Sequence, residues 1–415
     1  MAVVSQLKCS ICQREYAPGE VEYTCPVCGQ VGTLDVLYDY DALRSSLDRD
    51  AIGAGRTISM WRYRDLLPLN PDSIVPPLRV GYTPFYDAPR LAADLGLRAA
   101  WVKDDGANPT GSLKDRASAL IVARALEQGI ETVSTASTGN AAAALSGVGA
   151  SVDGINVIIF VPASAPEAKI AQLLVYGATV LLVEESYDVA FDLCYQMCIE
   201  QGWYCRNTGI NPYTTEGKKT VAYEIAEQLD WEMPDAVIVS AGDGNIIAGV
   251  HKGFVDLFNL GWITQIPRLI GVQALGSSPL VHAWENGILA ADMTPVDAIT
   301  IADSISAGLP RDRAKALRAI RETDGAFIAI PDDEIIASIP RLARLTGVFC
   351  EPSCAIIYAG AKRALELGYL RAEERVVFLL TGNGLKDIRR AQASVTAGLR
   401  VAPTLDSIKN ALKLG

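Results

Sequence analysis

From about residue 80 onward the chain alternates short β-branched apolar runs with alanine-rich amphipathic stretches. AAWVKD is followed by a helical pattern from about Leu113 to Gln128, then TVSTA, a helix from Asn140, NVIIFVP, TVLLVE, DAVIVSA, RLIGVQA and RVVFLLTG. Strand runs this apolar, each followed by a helix, require parallel sheets with helices on both faces. With 415 residues, half of them hydrophobic, the chain has material for more than one folding unit. Two domains of roughly 150 to 200 residues are expected, with the chemistry in the cleft between them. The stretch 36–75 is mixed and charged, runs into a proline-rich segment from Pro68 to Pro77, and reads as a connector wrapped on this body.

The first thirty residues stand apart. Cys9-x2-Cys12 and Cys25-x2-Cys28 form two knuckles and use four of the nine cysteines. Facing each other, they would close a tetrahedral thiolate cage around structural zinc. A segment with so little core would draw much of its folding energy from the metal. Two disulfides or four free thiols are the competing readings. Cys194, Cys198, Cys205, Cys350 and Cys354 lie in apolar segments and are expected to be small core residues.

Residue counts narrow the chemistry. His251 and His282 are the only histidines. This leaves no HExxH motif and little room for a Ser-His-Asp arrangement, so lysine, cysteine and carboxylates are the acid and base candidates. A cofactor that carries the difficult chemistry fits that shortage. The formal net charge of -11 argues against nucleic acid and anionic membranes as partners. No run approaches the roughly 20 apolar residues of a membrane span, and MAVVSQLKCS lacks the apolar core of a signal peptide. A cytoplasmic protein with a small-molecule substrate is expected.

Three loops carry candidate chemistry. Ser134 to Asn140 (STASTGN) joins a strand to a helix and presents amides and hydroxyls to an anion. Ser240 to Ile246 (SAGDGNI) follows another strand, and its glycines would let backbone N–H groups converge on a phosphate. A plain tight turn is the alternative, and Asp243 is unfavourable for a phosphate unless its carboxylate points away. The loop is neither a dinucleotide fingerprint nor a P-loop. In NPTGSLKDR, Lys114 lies in the first turn of a helix, where the dipole favours the neutral amine that Schiff-base chemistry needs. A solvated surface lysine is the competing reading.

Taken in order, the CxxC ribbon, WRYRDLLP, GYTPF, WVKDDGANPTGSLKDRAS, STASTGNAAAAL, NPYTTEGKKT, SAGDGNI and LLTGNGLKD cover residues 9 to 390. This set resembles the pyridoxal-phosphate enzymes of the tryptophan synthase β-subunit-like fold (fold type II) and, within them, the threonine synthases. The resemblance implies a lyase of α/β class with two parallel-sheet domains and a small zinc-ribbon-like module. The implied boundaries are 1–35 for the ribbon, 36–105 with 212–400 for a large cofactor domain, 106–211 for a small mobile domain and 401–415 for a tail helix. It also implies a homodimer.

The resemblance assigns Lys114 to the covalent link with pyridoxal 5'-phosphate and to proton transfer, and Asn140 to the cofactor's ring hydroxyl. Gly242, Asp243, Gly244 and Asn245 would cradle its phosphate, and Thr381 would meet its ring nitrogen. Ser137, Thr138 and Gly139 would receive the substrate carboxylate, with Asn211, Lys218 and Lys219 also on the substrate. The implied reaction converts O-phospho-L-homoserine and water to threonine and phosphate. The sequence departs from the family pattern at Thr214, where an arginine is usual, at Asn383 in place of a histidine, at Leu113 in place of a phenylalanine, and in GYTP, which lacks the usual glutamate. Thr214 leaves open a related β-replacement or β-elimination enzyme acting on another amino acid, such as O-phosphoserine.

Overall fold

A computed structural model of the chain describes residues 4–165 and 167–414. Positions 1–3 of the expected ribbon and 415 of the expected tail lie outside them. Three sheets organise the rest. The N-terminal sheet, in the order β2-β1-β3, is antiparallel and consists of β1 (Val4–Cys9), β2 (Glu15–Tyr16) and β3 (Leu34–Tyr38). Strand β3 runs past residue 35, because Val36 and Tyr38 alternate inward onto the ribbon's small core.

The large sheet begins with β4 (Phe85–Asp87) and β5 (Ala99–Asp104). The chain then leaves it to build the small sheet from β6 (Thr132–Ala136), β7 (Asn156–Pro162), β8 (Thr179–Val183) and β9 (Tyr204–Cys205), all parallel and in the order β8-β7-β6-β9. It returns for β10 (Ala236–Ser240), β11 (Arg268–Ala274), β12 (Ala326–Ile330) and β13 (Arg375–Leu380). The large sheet therefore reads β12-β11-β10-β13-β5-β4, parallel except for β4 on its edge.

Burial explains the apolar runs. Every residue of β10 is buried, as are Val376 to Leu380 of β13, because helices cover both faces of the large sheet. The edge strand β8 is more exposed, with Leu181 and Leu182 facing solvent. Strand β12 (AFIAI) was not marked by the sequence pattern, and neither were β4 and β9. The last two are three and two residues long and owe their strand conformation to their neighbours β5 and β6.

The connector is a strap. Met60–Leu66 forms a 3-10 turn held by Arg62, which pairs with Glu227 at 2.5 Å where both side chains are nearly buried. A short tail helix, Leu405–Leu412, is capped by Thr404. No helix among the described residues is long and apolar enough to cross a membrane.

Candidate active site

The site lies where the chain crosses from one sheet to the other. After β5, residues 105–113 turn back under the end of β13: Leu113 N–H donates to the Thr381 carbonyl at 2.9 Å, and Asn383 N–H to the Gly111 carbonyl at 2.9 Å. Gly111 adopts φ +85°, which only glycine takes readily, and the turn delivers Lys114 to the head of the helix Lys114–Glu127. That head is pinned from below. Arg116 is fully buried, pairing with Asp105 at 2.6 Å and with Glu224, while Lys103 reaches Glu224 at 2.6 Å.

Lys114 is half-buried, and burial pulls its amine below the ordinary lysine range. Glu351 partly opposes that shift and Arg206 adds to it, in both cases by charge at a distance. Thr381 sits beside it, fixed by its carbonyl to Leu113 and by its N–H to Cys354 Sγ at 3.0 Å.

The loop after β6 brings Ser137, Thr138, Gly139 and Asn140 to the opposite wall. Ser137 Oγ accepts from Gly139 N–H at 3.2 Å, and Asn140 opens the helix Asn140–Gly149. Thr138, Gly139 and Asn140 line a cavity of about 150 Å³ with Ser304, Glu351, Lys169 and Lys386. Asn140 Nδ2 donates to Glu351 Oε1 at 2.8 Å, and Ser304 donates to the other oxygen at 3.1 Å. Burial pushes the Glu351 carboxyl above its usual range, with Lys114 pulling it partly back. Sequence reasoning missed Glu351. The one available signal was a carboxylate directly before a proline at a helix start, here the helix Pro352–Glu366.

The loop after β10 is linked to these groups through Asp243, which acts on Lys114 by charge, and through Gly242, which packs on Ile305 beside Ser304. Gly244 takes φ +84°, and a Cβ there would stand 2.7 Å from the Ala316 Cβ. A Cβ on Gly242 would stand 2.8 Å from the Ile305 Cα. Only bare backbone fits, at the head of the 15-residue helix Asn245–Asn259, whose first amides lack helical partners. Asp243 turns its carboxylate toward the Arg311 N–H at 3.3 Å, which removes the objection its charge raised. Asn245 is a hub: it accepts from Lys218 and donates to Thr215 Oγ1 at 2.8 Å and to Asp312.

Two expected substrate contacts are not brought here. Lys219 is fully buried on the far side of its helical turn, 2.5 Å from Glu216 and 2.8 Å from Asp256, so its charge is already neutralised. Lys218 and Lys219 are adjacent on a helix, and adjacent residues do not share a face. Asn211 spends its amide on the backbone, donating to the Cys205 carbonyl at 2.9 Å and accepting from Tyr213 N–H at 3.0 Å. Thr214 likewise donates its hydroxyl to the Asn211 carbonyl at 2.8 Å, and Asn383 caps the turn at Leu385 N–H at 3.0 Å.

In the ribbon, the sulfurs of Cys9, Cys12, Cys25 and Cys28 all lie within 4.8 Å of one another, with Cys12 and Cys25 at 3.8 Å. The ribbon is tied to strand β9 of the small sheet and to the helix Arg313–Glu322. The Tyr23 hydroxyl accepts from Cys205 N–H at 3.0 Å, and Arg318 forks onto Asp35 at 2.7 and 2.8 Å.

Comparison with known proteins identifies the family. The family described as "Pyridoxal-phosphate dependent enzyme" matches residues 77–382. The chain is 38% identical to threonine synthase of Methanosarcina acetivorans over 408 residues, covering 98% of each protein. It is 37% identical to threonine synthase of Methanocaldococcus jannaschii, covering 98% of this chain and 99% of that one. Among solved structures, diaminopropionate ammonia lyase from Escherichia coli superposes with a TM-score of 0.65 at 18% identity, over 82% of this chain and 93% of that one. The processed form of threonine deaminase isoform 2 from Solanum lycopersicum gives 0.63 at 23%, over 76% and 88%. These two share the fold.

Proposed function

Because the chain belongs to the pyridoxal-phosphate dependent enzyme family, in its threonine synthase branch, we propose that it converts O-phospho-L-homoserine and water to L-threonine and phosphate. The observation that carries this reading is Lys114. Its amine, at the head of the helix Lys114–Glu127, is biased toward the neutral form by burial, and among the charges acting on it are Glu351, which holds Asn140, and Asp243 of the glycine loop. When bound, the cofactor supplies an electron sink for negative charge developing on substrate carbons.

The residues present fit that cofactor. Gly242 and Gly244 leave room where side chains would clash, and the amides heading the Asn245 helix suit its phosphate. Asn140 and Thr381 are the polar groups for its ring, the neutral Thr381 hydroxyl leaving the ring nitrogen without a counter-charge. Lys114 is the covalent anchor and moves protons at Cα and Cβ. Ser137, Thr138 and Gly139 hold the substrate carboxylate at a helix N-terminus, which disfavours its release. The bond from Cγ to the phosphate oxygen breaks, Cγ takes up a proton in place of the one lost from Cβ and becomes the methyl group, the hydroxyl of water is added at Cβ, and the remaining proton of water leaves with the phosphate.

The reading extends to zinc on Cys9, Cys12, Cys25 and Cys28. Four sulfurs on a tetrahedron with bonds of roughly 2.3 Å stand about 3.8 Å apart, in line with the Cys12–Cys25 distance of 3.8 Å. It also includes a cytoplasmic homodimer; a solution mass twice that of one chain tests the dimer.

The deciding assay is release of phosphate and threonine from O-phospho-L-homoserine, run beside O-phospho-L-serine. Turnover of the first alone supports the proposal, and turnover of the second alone replaces it with β-replacement or elimination chemistry. Lys114→Ala should lose both activity and the cofactor's visible absorbance.

A further inference from the structure

A buried cation in a folded protein normally carries its own anion, because an uncompensated charge removed from water costs several kcal/mol. Five Lys or Arg side chains rank among the largest that are fully buried among the described residues: Lys103, Arg116, Arg206, Lys218 and Lys219. Three of them are paired with carboxylates, Lys103 and Arg116 with Glu224, and Lys219 with Glu216 and Asp256. Arg206 and Lys218 are not. Lys218 has only the neutral Asn245 Oδ1 as its hydrogen-bond acceptor, with Asp312 and Asp243 acting on it by charge alone.

Arg206 is the more exceptional. Its Nε donates to Ser118 Oγ at 3.3 Å and its Nη1 to Thr208 Oγ1 at 3.0 Å, both neutral hydroxyls, and its Nη2 is buried without any partner. Burial pulls its guanidinium down to about 10, and Tyr187, Cys205 and Asp115 oppose that shift only in part, by charge and without a hydrogen bond. Its place in the fold is specific. Ser118 lies one helical turn beyond Lys114 on the same face of the same helix. The neighbouring Asn207 accepts from Ala136 N–H at 2.8 Å, under the 137–140 loop. Arg206, Lys218 and Lys114 stand close enough that the charges of the first and third lower the proton affinity of the second.

We propose that Arg206, with Lys218 as its companion charge, is the seat for the phosphate of the phosphorylated substrate, and that Nη2 is held free to donate to it. This rests on the reading of the protein as an enzyme of phosphorylated amino acids. A dianion held by both cations offsets the charge that their neutral hydrogen-bond partners leave open. A guanidinium already oriented by Ser118 and Thr208 loses little further freedom when it binds. The other candidates are occupied: Thr214 is bonded to the Asn211 carbonyl and Lys219 to its carboxylates. A substrate lacking the phosphate leaves the buried charge uncompensated, which makes Arg206 a specificity determinant.

The test uses the holoenzyme with Arg206→Met and Arg206→Lys. Losing one charge-assisted contact should raise KM for O-phospho-L-homoserine and Ki for inorganic phosphate by about 10- to 100-fold in Arg206→Met. Arg206→Lys should recover part of both. Affinity for pyridoxal phosphate, and for L-threonine by spectral titration, should stay within about threefold, since neither depends on this contact. An unchanged phosphate Ki, or a parallel loss of cofactor, overturns the proposal. Should the variants fail to fold, a crystal of the wild-type holoenzyme with inorganic phosphate decides: phosphate within hydrogen-bonding distance of Nη2 supports the seat, and phosphate bound only elsewhere overturns it. If wild-type enzyme releases no phosphate from O-phospho-L-homoserine, the functional reading falls separately. The seat is then judged by calorimetric binding of inorganic phosphate to wild type and Arg206→Met.

Discussion

Gly244→Ala isolates the cradle at the head of the Asn245 helix. The residue sits at φ +84°, and a left-handed conformation costs a side chain roughly 1–2 kcal/mol. The added Cβ would also meet the Ala316 Cβ at 2.7 Å. Carbon atoms prefer roughly 3.5–4.0 Å, so the loop or the helix Arg313–Glu322 must give by about 1 Å. Overpacking of this kind costs about 1–3 kcal/mol, which brings the sum to about 2–5 kcal/mol. Gly261, just past the far end of the same helix, is the control: it has φ +73° and nothing within 4 Å of where a Cβ would stand, so its alanine variant should lose only the conformational part. At roughly 2 °C per kcal/mol, Gly261→Ala should lower the Tm by about 2–4 °C and Gly244→Ala by about 4–10 °C. A loop moved by about 1 Å also lengthens its amide contacts beyond hydrogen-bonding range. One lost contact to a phosphate raises Kd for the cofactor about tenfold or more, while Gly261→Ala leaves it unchanged. Differential scanning calorimetry and absorbance titration with pyridoxal phosphate read both quantities. Equal Tm losses in the two variants, with wild-type cofactor affinity in Gly244→Ala, would refute the assignment of this loop.

Other perturbations probe the remaining parts. Lys219→Met leaves Glu216 and Asp256 short of a buried counter-charge and should cost about 3–5 kcal/mol, seen as a Tm loss of roughly 6–10 °C, with KM for the phosphorylated substrate unchanged. Asp115 is pushed up to about 6, first by burial. Its neutral form is favoured in the fold, so its contribution is complete below about 4 and declines as pH rises through about 6, by about 3 kcal/mol. The Tm of wild type should therefore fall relative to Asp115→Asn across that window, and a pH-independent gap would contradict the raised value. One zinc per chain by metal analysis, lost in Cys12→Ala together with several degrees of Tm, would support the thiolate cage, and metal-free protein of wild-type Tm would remove it.

Much of the site was legible because its parts are local. A lysine in the first helical turn, glycines between strand and helix, and paired CxxC knuckles each do their work within a few residues, so spacing alone exposes them. Asn211 and Lys219 show where this stops. Both sit in the right motif, but which way a side chain points depends on the helix phase and on what waits on the other side. Glu216 and Asp256 claim Lys219, and the backbone around Cys205 and Tyr213 claims Asn211. Glu351 and Arg206 were illegible for the complementary reason. Their meaning comes from partners or missing partners more than 80 residues away, Asn140 for one and Ser118 for the other.

The sequence alone determined the α/β rhythm and the positions of the loops, because period and turn chemistry are properties of neighbouring residues. The strand order β12-β11-β10-β13-β5-β4, the sharing of Glu351 between Asn140 and Ser304 and the unpartnered Nη2 of Arg206 were decided only by the tertiary structure. Burial and charge compensation are sums over everything packed around a group, and folding alone assembles those surroundings.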